Sequence, residues 1–371
     1  MPTIGPGITI GPGILIGEGT LGSLYSFTNF TFTNGTILGR SSGNTTQFLA
    51  NYSNVGNTWI DSTSYYRVTT PGYQVWTVPQ TATYEIEVAG SRSGINTYAN
   101  NTFGHGAIVR GRFALQQGSN ITIAVGSFSA NTINNNGFNG AGGGGGSFVV
   151  VTNTGNPLII GGGGGGSGRY SSSTDGNTGI KLGVNGATTT YGTSSRNAPF
   201  GNAAPGGRNG LGGNSHIAAN GVVSLNSYDG GAGGGFLSNG ASGTGNANRP
   251  GATSGTHGQG GLGFSANLQG GSVATTYTSQ GSNGGFGGGG GGSPIAGGGG
   301  GGYSGGGGGY ASSSTSSDGG GGGGSYIDAN ATTVATSDGF YNTSSTFGGA
   351  SITNIGSFNA NAGYVKITLI G

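Results

Sequence analysis

GGSPIAGGGGGGYSGGGGGY, residues 291–310, decides what kind of chain this is. Glycine makes up 94 of the 371 residues and gathers in uninterrupted blocks at 142–146, 161–166, 287–292, 297–302, 305–309 and 319–324. Glycine loses more backbone entropy on ordering than any other residue, about 0.5–1 kcal/mol relative to alanine. Such blocks therefore either stay unfolded as linkers or gain something that only side-chain-free backbone supplies. Their near-equal lengths argue for order, as do the aromatics between them: Tyr170, Phe286, Tyr303, Tyr310 and Tyr326. Only 5% of residues are charged, with Lys181 and Lys366 the two lysines, which is unlike the charge-rich composition of disordered segments. An extended helix of three residues per turn suits glycine. It makes no internal hydrogen bonds, so each N–H must find a neighbouring segment. With no side chain in any direction, several such helices pack side by side. Each amide bond contributes about 1 kcal/mol net, and Cα–H···O contacts about 0.5–1 kcal/mol. The blocks read as rods of a polyglycine II bundle, each six-residue rod spanning about 19 Å at a rise of about 3.1 Å per residue.

Composition excludes several classes of function. Eleven basic against nine acidic residues give a net charge of +2, too little for a nucleic-acid face. With no cysteine there is neither a disulfide framework nor a thiolate metal site. The first cation is Arg40, so the start of the chain lacks the basic region of a signal peptide. Apolar runs are as short as FVVV (148–151) and LII (158–160), and no membrane insertion is expected. No Gly-Lys pair marks a phosphate loop. His105, His216 and His257 lie far apart without carboxylates at ligand spacing, and Asp175-Gly176-Asn177 reads as a turn. Glu85 and Glu87 read as the solvated face of a strand. Asn-x-Ser/Thr sequons, as at Asn29 and Asn120, arise by chance in so Asn- and Thr-rich a chain. No catalytic, cofactor-binding or metal-ligating residue is assigned, and a non-enzymatic protein is expected.

Three regions follow. Residues 1–22 carry the hexads TIGPGI (3–8), TIGPGI (9–14) and LIGEGT (15–20), which look like hexapeptide β-helix repeats. Three hexads cannot bury their own isoleucines. Ile4, Ile8, Ile10, Ile14 and Ile16 are therefore the candidate oligomerisation residues of a trimerising or docking stem. From Leu24 the pattern turns to β. YSFTNFTF (25–32) alternates, and strands follow at 74–78, 83–88, 107–115, 120–125, 147–151 and 157–160, returning at 325–327 and 363–370. The last strand is expected to close the sheet begun near Tyr73. The fold class is all-β: a β-sandwich (jelly-roll/TNF-like) over 23–160, completed by 325–371. It carries a large inserted bundle of polyglycine II helices at 161–324 and the short N-terminal hexapeptide-repeat stem.

The segment WTVP (76–79), followed by ATYEIEVAG (82–90), resembles the opening of the glycine-rich domain in anaplastic lymphoma kinase-type receptors. The similarity continues in His105-Gly106-Ala107, LQQGSNITIAVG (115–126), 142–151, 157–166, 284–310, 319–326 and 363–369, and so covers the chain from about Tyr66 to its end. It implies a β-sandwich paired with polyglycine helices. Similar modules occur in phage tail-fibre and adhesin proteins, and bundled polyglycine helices form the receptor-binding tips of some T-even-like phage adhesins. Without cysteines, membrane span or kinase, and with its glycine-proline stem and YSFTNFTFTNGT (25–36), this chain looks most like a marine phage virion appendage.

The rod-connecting loops are the remaining functional surface. Between residues 166 and 230 they carry Arg169, Tyr170, Tyr191, Arg196, Phe200, Arg208, His216 and Tyr228, the candidate receptor-contact residues. Aromatic and arginine side chains dominate binding hot spots, although the same residues can simply cover the bundle's edges. The expectation is a homotrimeric tail-fibre or adhesin protein on the virion surface. It would dock to other virion proteins through its stem and recognise a host-surface glycan or outer-membrane protein. A purely structural capsid or tail knob is one alternative. A secreted matrix or ice-binding protein, to which Thr188-Thr189-Thr190 lends support, is another, and a receptor-like ectodomain fragment a third.

Overall fold

Along β4 (Ala82–Ala89), Tyr84, Ile86 and Val88 are buried while Glu85 and Glu87 are half-buried, the period of two that the sequence carries. In the computed structural model, residues 22–53, 56–95, 103–128, 140–168, 182–196, 203–215, 228–243, 257–273, 281–311, 317–338 and 353–371 are described. The hexads with Ile4, Ile8, Ile10, Ile14 and Ile16 lie outside them, as does Asp175-Gly176-Asn177. The architecture is mostly β, with one α-helix among the described residues.

Two six-stranded sheets are built. One has the order β1 (Asn29–Phe32), β12 (Tyr364–Leu369), β4, β5 (Ile108–Leu115), β10 (Thr332–Thr336), β11 (Thr353–Asn354). The other has β2 (Tyr66–Thr70), β3 (Tyr73–Thr77), β6 (Asn120–Ala124), β7 (Ser147–Val151), β8 (Pro157–Gly161), β9 (Tyr326–Ile327). All pairings are antiparallel except β10 with β11. One buried cluster draws on both sheets: Phe32, Tyr84, Ile86 and Val365 from the first, Trp76, Ile121, Val149 and Ile159 from the second. β12 does not join β3 near Tyr73; it pairs with β4, Ile367 opposite Ile86, and with β1 on its other side. Both edges of β3 are occupied by β2 and β6, whereas β4 has one edge free beside β5.

Two further details depart from the sequence reading. The 25–32 stretch is a strand only from Asn29. Tyr25 instead stacks on Trp59 with ring centroids 5.2 Å apart, and Phe27 packs into the core. Glu85 and Glu87 are not simply solvated: register sets them opposite Arg112 and Arg110, giving Arg112 Nε–Glu85 Oε2 at 2.9 Å and Arg110 Nη1–Glu87 Oε2 at 3.5 Å. The helix α1 (Thr45–Tyr52), absent from the sequence reading, starts at a capping box. Asn44 Oδ1 accepts from the Gln47 N–H, and Gln47 Oε1 accepts from the Asn44 N–H. It buries Phe48 and Tyr52 against the core.

The run Phe148-Val149-Val150 is continuously apolar because β7 is buried on both faces. Val149 enters the inter-sheet cluster, while Phe148 and Val150 join Tyr73, Ile160, Leu268 and Phe286 in a second one beneath the glycine region. Tyr303 and Tyr326, two of the block-punctuating aromatics, extend this seam with centroids 4.6 Å apart, and Phe236 and Phe264 join it at 5.0 Å.

Beyond Gly161, the last residue of β8, the glycine blocks form neither helix nor strand by hydrogen-bond pattern, yet the amides of one block follow a strict period of three. In 297–302, the N–H groups of Gly297 and Gly300 reach the carbonyls of Asp318 and Gly321. Those of Gly298 and Gly301 reach Ala141 and Gly144, and those of Gly299 and Gly302 reach Gly231 and Gly234, all at 2.8–3.2 Å. Carbonyls of the same block accept from Gly309 and Gly306, from Gly166 and Gly163, and from Gly290. Six segments thus surround one. A Cβ built on Gly299 would stand 2.2 Å from the Gly306 oxygen, and one on Gly300 2.2 Å from the Gly163 oxygen. Within the six blocks, positive φ appears only at Gly287 and Gly288, where the chain turns. Glycine serves here through its missing Cβ rather than through left-handed backbone.

Candidate binding surface at the ends of the glycine segments

The segments have a sheet-proximal and a sheet-distal end. Residue 146 runs into β7, residue 162 follows β8, and residue 324 leads to β9, so these mark the proximal end. Residues 140, 166, 297, 309 and 318 are hydrogen-bonded at the distal end, through Gly140 to Ser293, Gly297 to Asp318 and Gly309 to Gly297. Gly168, Arg196, Gly243, His257, Ala311 and Ser317 lie at this distal end. Arg196 N–H donates to Gly319 O, Gly243 N–H to Gly258 O, and Ala311 bridges Ser317.

Arg169, Tyr170, Phe200 and His216 lie outside the described residues. The other four candidates fall into two pairs. Tyr191 and Arg208 meet at the proximal end, where the guanidinium lies 5.3 Å from the Tyr191 ring centroid; Tyr191 is exposed, as are Leu211 and Leu237 nearby. Arg196 and Tyr228 sit distally. Arg196 is exposed, and Tyr228 packs on Ile295, Ala296 and Ala311 while its carbonyl accepts from the Ser293 hydroxyl. The eight residues therefore do not form one patch.

The distal end also holds acids that the sequence reading passed over. Asp229 is fully buried; its Oδ1 accepts from the Ala311 N–H at 3.1 Å, and its Oδ2 has no hydrogen-bond partner among the described residues. Burial, and secondarily the neighbouring Asp318, push its carboxyl up to about 8. Their signal in sequence was rarity: Asp229 and Asp318 are two of three aspartates between residues 161 and 324. Among the described residues no group of three or more His, Cys, Asp or Glu is placed to hold a metal ion, and no helix is long and apolar enough to cross a membrane.

Thr188 is buried and donates to both carboxylate oxygens of Asp338 at 2.9 Å, so Thr188-Thr189-Thr190 does not offer an exposed threonine array. Comparison with known proteins finds no family model that matches the chain and no match to a curated protein.

Proposed function

We propose that the two sheets form a β-sandwich of jelly-roll/TNF-like type and that the glycine blocks are a polyglycine II bundle inserted into it. On this reading the protein is a non-enzymatic virion component of tail-fibre or adhesin type, exposed on the virion surface. The bundle holds its distal connections toward a host-surface glycan or outer-membrane protein. The observation that carries this reading is the backbone-bonded scaffold itself, in which six segments surround block 297–302. Side chains held on such a scaffold, Arg196 and Tyr228 among them, have little ordering entropy left to lose on binding. The period-three hydrogen bonding supports the polyglycine assignment, and the family resemblance supports the phage setting. The hexad stem is proposed to make the homotrimer and to dock to other virion proteins. The buried Thr188 disfavours ice binding.

Fluorescently labelled full-length protein should bind a susceptible host, and replacing residues 170–180 and 217–226 with short Gly-Ser connectors should abolish binding while the melting temperature holds. Undiminished binding by that variant contradicts distal recognition. Failure of the intact protein to label any susceptible host favours a purely structural knob.

A further inference from the structure

Where segment 39–43 crosses the edge of the glycine bundle, a cavity of about 250 Å³ opens between the β body and the turn at 266–269. Its polar lining includes Arg40, Ser42, Thr70, Asn267 and Gln269, and no acidic residue. Leu262, Pro71 and Phe286 supply an apolar portion. The walls are locked by backbone: Gly270 N–H donates to Arg40 O at 3.0 Å, Phe286 N–H to Gly39 O at 2.8 Å, and Gly72 N–H to Gly43 O at 2.9 Å. At Gly72, with φ of +89°, a Cβ would fall 2.3 Å from the Phe286 ring and 2.5 Å from Ser42 Oγ, so only glycine lets these walls meet.

Arg40 is the fixed charge of this cavity. Its Nε donates to Gly270 O at 3.2 Å and its Nη2 to Gln269 Oε1 at 3.3 Å, both neutral acceptors. Among the described residues it has no ion-pair partner, and Nη1 has no hydrogen bond. A held guanidinium with an open N–H suits a carboxylate. Hydroxyls and amides around it suit a polyhydroxylated ligand, and the apolar wall suits the C–H face of a ring. The volume, below the range of about 300–1,000 Å³ usual for drug-sized ligands, matches a single ring.

We propose that this cavity binds a hexuronic acid unit, with its carboxylate on Arg40 and its hydroxyls on the surrounding Ser, Thr, Asn and Gln side chains. The ligand class stands on the cavity. That such a sugar belongs to a host surface rests on the attachment function proposed above, and the two fail separately.

The test is calorimetric titration of the full-length protein with glucuronate and galacturonate, with glucose and acetate as the neutral-ring and bare-carboxylate controls. At least one uronate should bind saturably at about millimolar Kd, with glucose and acetate about tenfold weaker or more. Arg40→Gln should lose about tenfold or more, while Arg40→Lys, which keeps charge but not the fork, should lose less. Asn267 has a left-handed backbone at φ 70°, so Asn267→Gly removes its amide without backbone strain and should weaken binding severalfold. Absence of saturable uronate binding, equal binding of glucose or acetate, or full affinity in Arg40→Gln with an unchanged melting temperature would each overturn the proposal. Uronate binding without cell labelling supports the site and removes only the attachment reading. Cell labelling without uronate binding removes only the site.

Discussion

Gly299 states the residue-scale physics in one position. It donates to Gly231 and accepts from Gly290, and the place of its missing side chain is filled by the Gly306 carbonyl 2.2 Å away. A neighbour held by its own backbone bonds cannot retreat as a flexible side chain would. Gly299→Val should therefore destabilise the protein by about 3 kcal/mol or more in denaturant unfolding. Gly22→Ala, where an added Cβ meets nothing within 4 Å, should have almost no effect. Equal stability of the two variants contradicts close packing at Gly299. Asp229 makes a second residue-scale prediction. Its carboxyl is raised in the folded state from the ordinary 3.8 to about 8, so the native state holds the proton more tightly than the unfolded chain. Its contribution is most favourable below about pH 4 and is lost as pH rises toward 8. Asp229→Asn should raise the melting temperature at pH 8–9 and flatten the profile between about pH 4 and 8, as thermal melts across pH will read.

At the scale of elements, two kinds of segment obey different rules. Strands are legible from alternation, and β4, β5, β6, β7 and β8 lie within a residue or two of their sequence positions. α1 escaped because its apolar stripe is short, although the Asn44–Gln47 capping box was readable. Asn44→Ala should cost about 1 kcal/mol of stability, checked by equilibrium unfolding. No effect would mean that packing of Phe48 and Tyr52 alone holds the helix. β2 and β10 escaped because neither alternates cleanly; β2 buries only Tyr66 fully. Among glycine-region segments, 183–196 is scaffold rather than loop. Gly186 N–H bonds His105 O, and Thr193 N–H bonds Gly322 O. Removing 170–200 whole should therefore lower the melting temperature sharply, whereas replacing 170–180 alone should not.

For the whole molecule, the sheets and the glycine region pack against one another. Phe148, Val150, Leu268 and Phe286 bury a shared seam, and segment 39–43 is tied to both sides of it. Block 297–302, bonded on all sides, should show the slowest amide exchange of the glycine region. Its amides should match the core strands in protection when followed by hydrogen–deuterium exchange. Rapid uptake there would contradict a bundled scaffold.

Sequence alone determined that glycine blocks alternate with β-strands, because both signals are local: Tyr84-Glu85-Ile86 shows its period of two, and 297–302 its lack of any side chain. It could not decide which strand neighbours which, since β12 fits beside β3 or β4 equally by pattern; the free edge of β4 decided that. Nor could it separate Tyr191 and Arg208 from Arg196 and Tyr228. Every glycine offers the same amide and carbonyl, so a glycine segment's partners carry no mark in its own sequence. The strands and turns anchoring its ends set them, and with them the end at which each loop residue emerges.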